Sequence, residues 1–168
     1  MAGKTLAWHL NKNGMSDSVI NDLLAMAKIS NQYLGTFMFN NLPYFSSSEL
    51  KQQSTSHFLI INVGHHFVTL CITPYYALYI DSIGLPIVHQ EINNFIDQYS
   101  PRPIYFNTKQ IQSFESSHCG LYAALFTLYF DQYEQHNMKM TFFKNPALLL
   151  KNDDKCIQYI KKLVVKKS

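Results

Sequence analysis

The sequence contains few cysteines, and they are not arranged to crosslink a small fold or to bind a metal ion. Three occur among 168 residues, at Cys71, Cys119 and Cys156, an odd number with no Cys-x-x-Cys pair and no Cys/His ligand spacing. This pattern argues against a disulfide-stapled fold and a structural zinc site. Hydrophobic residues make up 47% of the chain, enough to bury a core without such staples. We therefore expect a single domain over residues 1–168, working in a reducing compartment.

A long apolar run is also missing. The first residues lead into no apolar signal region, and the longest apolar runs are too short or too polar to span a bilayer. We therefore expect a soluble protein without membrane contact. The formal net charge is only +3, and lysines cluster at residues 161–167. A solvated tail is the expected role of this cluster, and weak attraction to nucleic acid is the alternative.

The spacing of apolar residues predicts an α+β domain. Helices are predicted where apolar residues recur at helical spacing, and strands where β-branched and aromatic residues lie between turns. Four helices are predicted. The first follows an N-cap at residues 16–18, the second begins at residues 85–86, the third begins near residue 119, and the fourth covers residues 153–165. The predicted strands are residues 58–63, 67–72 and 75–80, as an antiparallel meander, and residues 104–107. Residues 33–45 are predicted to be irregular chain.

The helix that starts near Cys119 carries the most informative residues. Residues 121–129 are apolar nearly all round, so this helix should be buried with the sheet packed against it. Free amides at a helix N-terminus favour the thiolate of a cysteine placed there. Gln112, seven positions upstream, could donate its side-chain NH2 to an oxyanion together with the Cys119 backbone N–H. The segment indicates a cysteine hydrolase, whereas a lone cysteine could equally be a core residue.

Two further side chains could complete such a site. A thiol that attacks an amide needs a base, and His65 and His66 stand before the second predicted strand of the meander. Strand alternation lets only one of them face the helix. Asp81 ends the next strand, so we expect it beside the histidine that faces the helix. Taken alone, each histidine could be a surface residue and Asp81 a turn residue.

Together, three segments in this order resemble a known group of enzymes. Residues 64–67 (GHHF), 79–84 (YIDSIG) and 112–120 (QSFESSHCG) resemble motifs of the adenovirus protease (adenain) family and of the related ubiquitin-like-protein-specific proteases. The resemblance implies a papain-like or adenain-like cysteine protease fold, α+β, with a central mixed, mostly antiparallel sheet packed on the helix that bears the nucleophile. It also implies four roles. These are nucleophile for Cys119, general base for His66, third triad member for Asp81 and oxyanion donor for Gln112. With His66 as the base, we expect its Nδ1 to lie within hydrogen-bonding reach of Asp81 and its ring to lie near Cys119.

Details of the same motifs favour the adenain branch. The seven-position separation of Gln112 and Cys119 resembles adenains, whereas desumoylases usually have one residue fewer and an Asp where this chain has His118. Residues 33–37 (YLGTF) and 144–146 (KNP) also resemble adenain segments. The Asp-Ser-x-Gly context of Asp81 is instead desumoylase-like. Residues 101–107 contain no cysteine, which argues against a disulfide-linked peptide cofactor, and the small charge leaves DNA stimulation unsupported.

The resemblance implies a viral function. We expect a monomeric endopeptidase without a cofactor that cleaves capsid or core precursors at glycine-containing sites during virion maturation. It would act in the virion and the host cell interior, and its source could be a virophage, a polinton-like element or a divergent adenovirus. The alternative is a deubiquitinase or desumoylase. A catalytically retired binding module and an acetyltransferase are further alternatives.

Overall fold

The computed structural model describes residues 15–27, 29, 33–46, 56–99, 103–133 and 149–167. Within them a five-stranded sheet has the same order in space as in sequence. Its strands are β1 (Tyr33–Met38), β2 (His57–Asn62), β3 (Phe67–Ile72), β4 (Ala77–Ile80) and β5 (Ile104–Phe106). The two central pairings, β2 with β3 and β3 with β4, are antiparallel. The predicted meander is therefore confirmed.

The two edge strands make the sheet mixed. β1 pairs with β2, and β5 pairs with β4, both in parallel. The prediction of irregular chain for residues 33–45 is wrong in its first part, because residues 33–38 form β1. This strand contains Gly35 at a φ of 132°, where the register with β2 also shifts. Glycine tolerates that conformation, so Gly35 marks an irregularity inside the strand.

Four helices lie in the described part of the chain. They are α1 (Asp17–Met26), α2 (Gln90–Tyr99), α3 (Cys119–Tyr133) and α4 (Leu149–Lys167). The predicted opening of α2 at residues 85–86 is wrong, since Leu85 and Val88 are exposed and the first helical bonds run to the carbonyl of His89. The last helix starts earlier than predicted and runs through the lysine cluster, whereas residues 144–146 lie outside the described residues.

The sheet is covered on both faces. In β2, Phe58 and Ile60 pack with α1, α3 and α4, whereas the alternating Leu59 and Ile61 pack with α2. Strands buried on both faces read as continuous apolar runs. Residues 121–128 of α3 are all buried, which confirms the predicted central helix. No helix in the described part of the chain is long and apolar enough to cross a membrane.

Strand order brings two distant parts of the chain together where β3 begins and β4 ends. Because β3 and β4 are antiparallel, the start of β3 lies beside the end of β4, as the pairing of Thr69 with Ile80 shows. The Thr69 hydroxyl also donates to the carbonyl of Ala123, 3.1 Å away, which attaches β3 to the first turns of α3. His66, Asp81 and Cys119 consequently meet at one place.

Candidate active site

A buried carboxylate holds the histidine that precedes β3. Nε2 of His66 lies 2.7 Å from Oδ1 of Asp81, which is almost fully buried and also accepts the backbone N–H of Ile83 at 2.7 Å. The expected contact between His66 and Asp81 is present, but it is made by Nε2 and not by Nδ1. With Nε2 turned to the carboxylate, the opposite edge of the ring is available to the thiol.

The histidine and the cysteine form the second link. His66 lines the same cleft as Cys119 and interacts with its side chain as well as with Asp81. Burial alone would lower the pKa of His66, but its bonds to Asp81 and Cys119 outweigh burial and raise that pKa to about 9. Burial would raise the pKa of Cys119, yet the bond from His66 and the backbone N–H groups of Phe67 and Gly120 lower it on balance. Both shifts act in the same sense, since they favour the thiolate of Cys119 and the imidazolium of His66.

The N-terminus of α3 presents the thiol. Cys119 is the first helical residue, and the first intrahelical bond there runs from the N–H of Tyr122 to the carbonyl of His118. The amide of Cys119 is thus one of those that an α-helix leaves without an intrahelical partner. Gly120 lets this end of the helix approach α1, since a Cβ at residue 120 would lie 3.1 Å from Cδ1 of Ile20 in α1 and 2.9 Å from Cβ of Met15 just before it.

Gln112 lies against the same end of α3 and is held by two partners. Its Oε1 accepts the hydroxyl of Ser82 at 2.6 Å, and its Nε2 donates to the carbonyl of Ser116 at 2.8 Å. The amide nitrogen carries two hydrogens, so one remains for a ligand. Gln112 and Cys119 line one cleft of about 290 Å³. The structure therefore brings Gln112, His66 and Cys119 to one cavity, with Asp81 behind the histidine.

Two of the residues that line this cleft are exposed. His65 and Phe114 also line it, and both are exposed, Phe114 to 73%. His65 is adjacent in sequence to His66 but does not contact Asp81 in the described structure. Of the two histidines that the sequence offered, His66 is thus the one held by a carboxylate.

Two supporting residues were not found from the sequence. Asn107, just after β5, accepts the N–H of Asp81 at 2.8 Å through Oδ1 and donates to its carbonyl at 2.6 Å through Nδ2. Ser82 holds the amide of Gln112. By sequence, Asn107 is the end of a predicted short strand and Ser82 is part of a motif. Their partners are 26 and 30 positions away, so local pattern carried no signal of either contact.

No group of three or more His, Cys, Asp or Glu side chains in the described ranges is arranged to hold a metal ion. The three cysteines are all free thiols. Burial raises the pKa of Cys71 to about 12, against the opposing effect of a hydrogen bond from Ser56. It also raises the pKa of the fully buried Cys156, where the nearby carboxylate of Asp153 adds to the shift. Cys119 thus stands apart as the cysteine with a lowered pKa.

Comparison with known proteins gives a likeness in structure. No protein-family model matches the sequence, and no curated protein matches it. The chain is similar to the solved structure of "SUMO protease Ulp1 with the catalytic cysteine oxidized to a sulfonic acid", at a TM-score of 0.53 and 14% identity. The alignment covers 97% of this chain and 81% of that one. The chain has the fold of that SUMO protease.

A second solved structure, described as a de-sumoylating protease, aligns with a TM-score of 0.47 and 18% identity, over 97% of this chain and 83% of the other. The predicted α+β class, with its mixed sheet on a buried helix, is confirmed by the Ulp1-like fold.

Proposed function

We propose that the chain is a cysteine protease whose nucleophile is Cys119. The observation that carries this proposal is the arrangement of three side chains: Asp81 is bonded to His66, and His66 interacts with Cys119 at the N-terminus of α3, where both line a cleft. A lowered thiol pKa beside a histidine, with the histidine oriented by a carboxylate, is the arrangement that nucleophilic catalysis requires. The roles of all four sequence-predicted residues belong to this proposal.

The proposed reaction is acyl transfer through a thioester. The Cys119 thiolate attacks the carbonyl carbon of an amide, and the carbonyl oxygen becomes an oxyanion that accepts bonds from Gln112 and from the Cys119 amide. As the C–N bond breaks, His66 gives its proton to the leaving amine. His66 then takes a proton from water, which attacks the thioester and releases the acid product and the thiolate. Asp81 stabilises the imidazolium in each cycle.

For the substrate, we favour the junction that follows the C-terminal residue of a ubiquitin-like protein. The support is the fold, which the chain has in common with a SUMO protease over nearly all of its length. The expectation from sequence put viral maturation first and this class second. The support for a second candidate, an endopeptidase acting on capsid or core precursors after glycine, is the seven-position separation of Gln112 and Cys119 with His118 before the nucleophile.

One set of assays tests both the chemistry and the substrate. The parent chain is incubated with ubiquitin-like proteins that carry a C-terminal fluorogenic amide, and separately with glycine-containing capsid-precursor polypeptides analysed by mass spectrometry. Cys119→Ala should abolish all cleavage. Cys71→Ala, which removes a buried thiol of raised pKa, should leave cleavage intact.

The outcomes separate the candidates. Release of the fluorophore by the parent supports the ubiquitin-like substrate, and cleavage of precursors alone supports the maturation protease. Cleavage that persists in Cys119→Ala would remove Cys119 as nucleophile. Absence of any cleavage would point to the acetyltransferase alternative or to a binding module. A single-domain monomer that needs no cofactor stays a prediction, as does its location in the virion or host cell.

A further inference from the structure

The side chain that would stabilise the oxyanion is itself held by a buried serine. Ser82 is 1% exposed, and its hydroxyl donates to Oε1 of Gln112 across 2.6 Å. We propose that Ser82 is a positioning residue that fixes the Gln112 amide so that an N–H faces the cleft. This inference rests on the proposed function, because it assigns Ser82 a role through Gln112.

The amide has only one favourable orientation. The carbonyl of Ser116 can only accept, so the group facing it at 2.8 Å must be the NH2 of Gln112. That leaves Oε1 toward Ser82, whose hydroxyl can donate to it. Without the hydroxyl, Oε1 would be a buried acceptor without its partner in a residue that is only 2% exposed. The amide would then lose the contact that opposes rotation about its last torsion.

The main chain of the same residue holds the loop that carries Gln112. The carbonyl of Ser82 accepts the backbone N–H groups of both Ile111 and Gln112, each at 2.9 Å. Its neighbour Asp81 holds His66. The turn of residues 81–84 is closed by the bond from the N–H of Gly84 to the carbonyl of Asp81 at 2.9 Å. This short segment thus supplies the carboxylate that holds His66 and also positions the oxyanion donor Gln112.

The experiment compares two reactions of Cys119 that differ in their need for an oxyanion donor. Alkylation by iodoacetamide is a direct displacement at carbon and forms no oxyanion. Acylation by 4-nitrophenyl acetate passes through a tetrahedral oxyanion, and its rate is corrected for the background measured in Cys119→Ala. The variants are Ser82→Ala, Gln112→Ala and the double substitution. Thr73→Val is the matched control, because it removes a buried hydroxyl at the opposite end of β4.

We expect Gln112→Ala to slow acylation by on the order of 10²–10³-fold. Ser82→Ala should slow it by on the order of tenfold, since the donor remains but is less well held. Both should alkylate at the parent rate. In the double variant the serine substitution should add nothing, because its effect passes through Gln112. Thr73→Val should acylate and alkylate as the parent does.

Three results would overturn the proposal. These are parental acylation by Ser82→Ala, a further loss of rate in the double variant, or an equal loss of alkylation. If Gln112→Ala itself acylates at the parent rate, the oxyanion role in the proposed function fails as well. If Gln112→Ala acylates slowly but Ser82→Ala acylates at the parent rate, only the role of Ser82 is refuted. If Ser82→Ala does not fold by circular dichroism, Ser82→Cys replaces it; a thiol is a weaker donor, so an intermediate acylation rate is expected and parental acylation overturns the proposal.

Discussion

Replacing Asp81 by Asn tests the electrostatic origin of the reactive thiol. The substitution keeps the shape of the side chain and an oxygen for the N–H of Ile83, but it removes the negative charge that lies 2.7 Å from Nε2 of His66. In the parent, burial lowers the pKa of His66, and its bonds to Asp81 and Cys119 more than compensate and raise it to about 9. We expect that pKa to fall in Asp81→Asn.

The size of the fall follows from the strength of a charge-assisted bond. Hydrogen bonds to charged groups contribute about 1.5–3 kcal/mol. One pKa unit corresponds to about 1.4 kcal/mol, so the pKa of His66 should fall by about one to two units. A less basic imidazole takes the proton of Cys119 less readily. The ratio of thiolate–imidazolium pairs to neutral pairs should therefore fall by on the order of 10–100-fold.

The assay is the rate of iodoacetamide alkylation of Cys119 as a function of pH. In the parent, the lowered pKa of Cys119 should keep the thiolate reactive near pH 7. In Asp81→Asn the rate should drop near pH 7, and the two proteins should converge above the pKa of the free thiol, where both are thiolates. Asp22→Asn removes the same charge from the exposed face of α1 and should leave the profile unchanged. Superimposable profiles for the parent and Asp81→Asn would refute this account.

Two further substitutions probe the scaffold around the site. Gly84→Ala should lower both the stability and the acylation rate, because residue 84 has a φ of 81° and a Cβ there would lie 2.8 Å from a backbone carbon of the neighbouring loop. Gly64→Ala is its control in thermal unfolding and acylation assays, since residue 64 also has a positive φ but open space around it, and equal losses in both variants would refute the role of the clash. Tyr122→Phe should lower the free energy of unfolding by about 1–3 kcal/mol in urea titrations, because its hydroxyl donates to the buried carboxylate of Asp153 at 2.9 Å. The exposed Tyr105→Phe should change it little, and a Tyr122→Phe as stable as the parent would contradict this account.

Much of the architecture could be predicted from local pattern. The apolar run of residues 121–129 indicated a buried helix with Cys119 at its start, and that helix is the centre of the fold. The meander of β2, β3 and β4 was predicted with its pairing sense, which in turn predicted that His66 and Asp81 would be neighbours. These features follow from side-chain periodicity and from turn residues, both of which are encoded within a few positions.

Where the predicted and the observed elements differ, the reason is tertiary contact or its lack. Residues 33–38 lack a clear strand pattern because they contain Gly35, and they become β1 only through parallel pairing with β2. Residues 85–88 have helical spacing, yet they lie outside α2 because Leu85 and Val88 have no core to cover. Tertiary context overrides local propensity in both cases.

The sequence by itself determined which residue types were present for acyl transfer and the order in which they occur, and the motifs made Cys119, His66 and Asp81 candidates. Only the tertiary structure decided that Nε2 of His66 faces Asp81 and that Ser82 holds Gln112 from 30 positions away. Side-chain orientation of this kind depends on donors and acceptors that the folded chain brings within hydrogen-bonding distance. No spacing along the sequence encodes that distance.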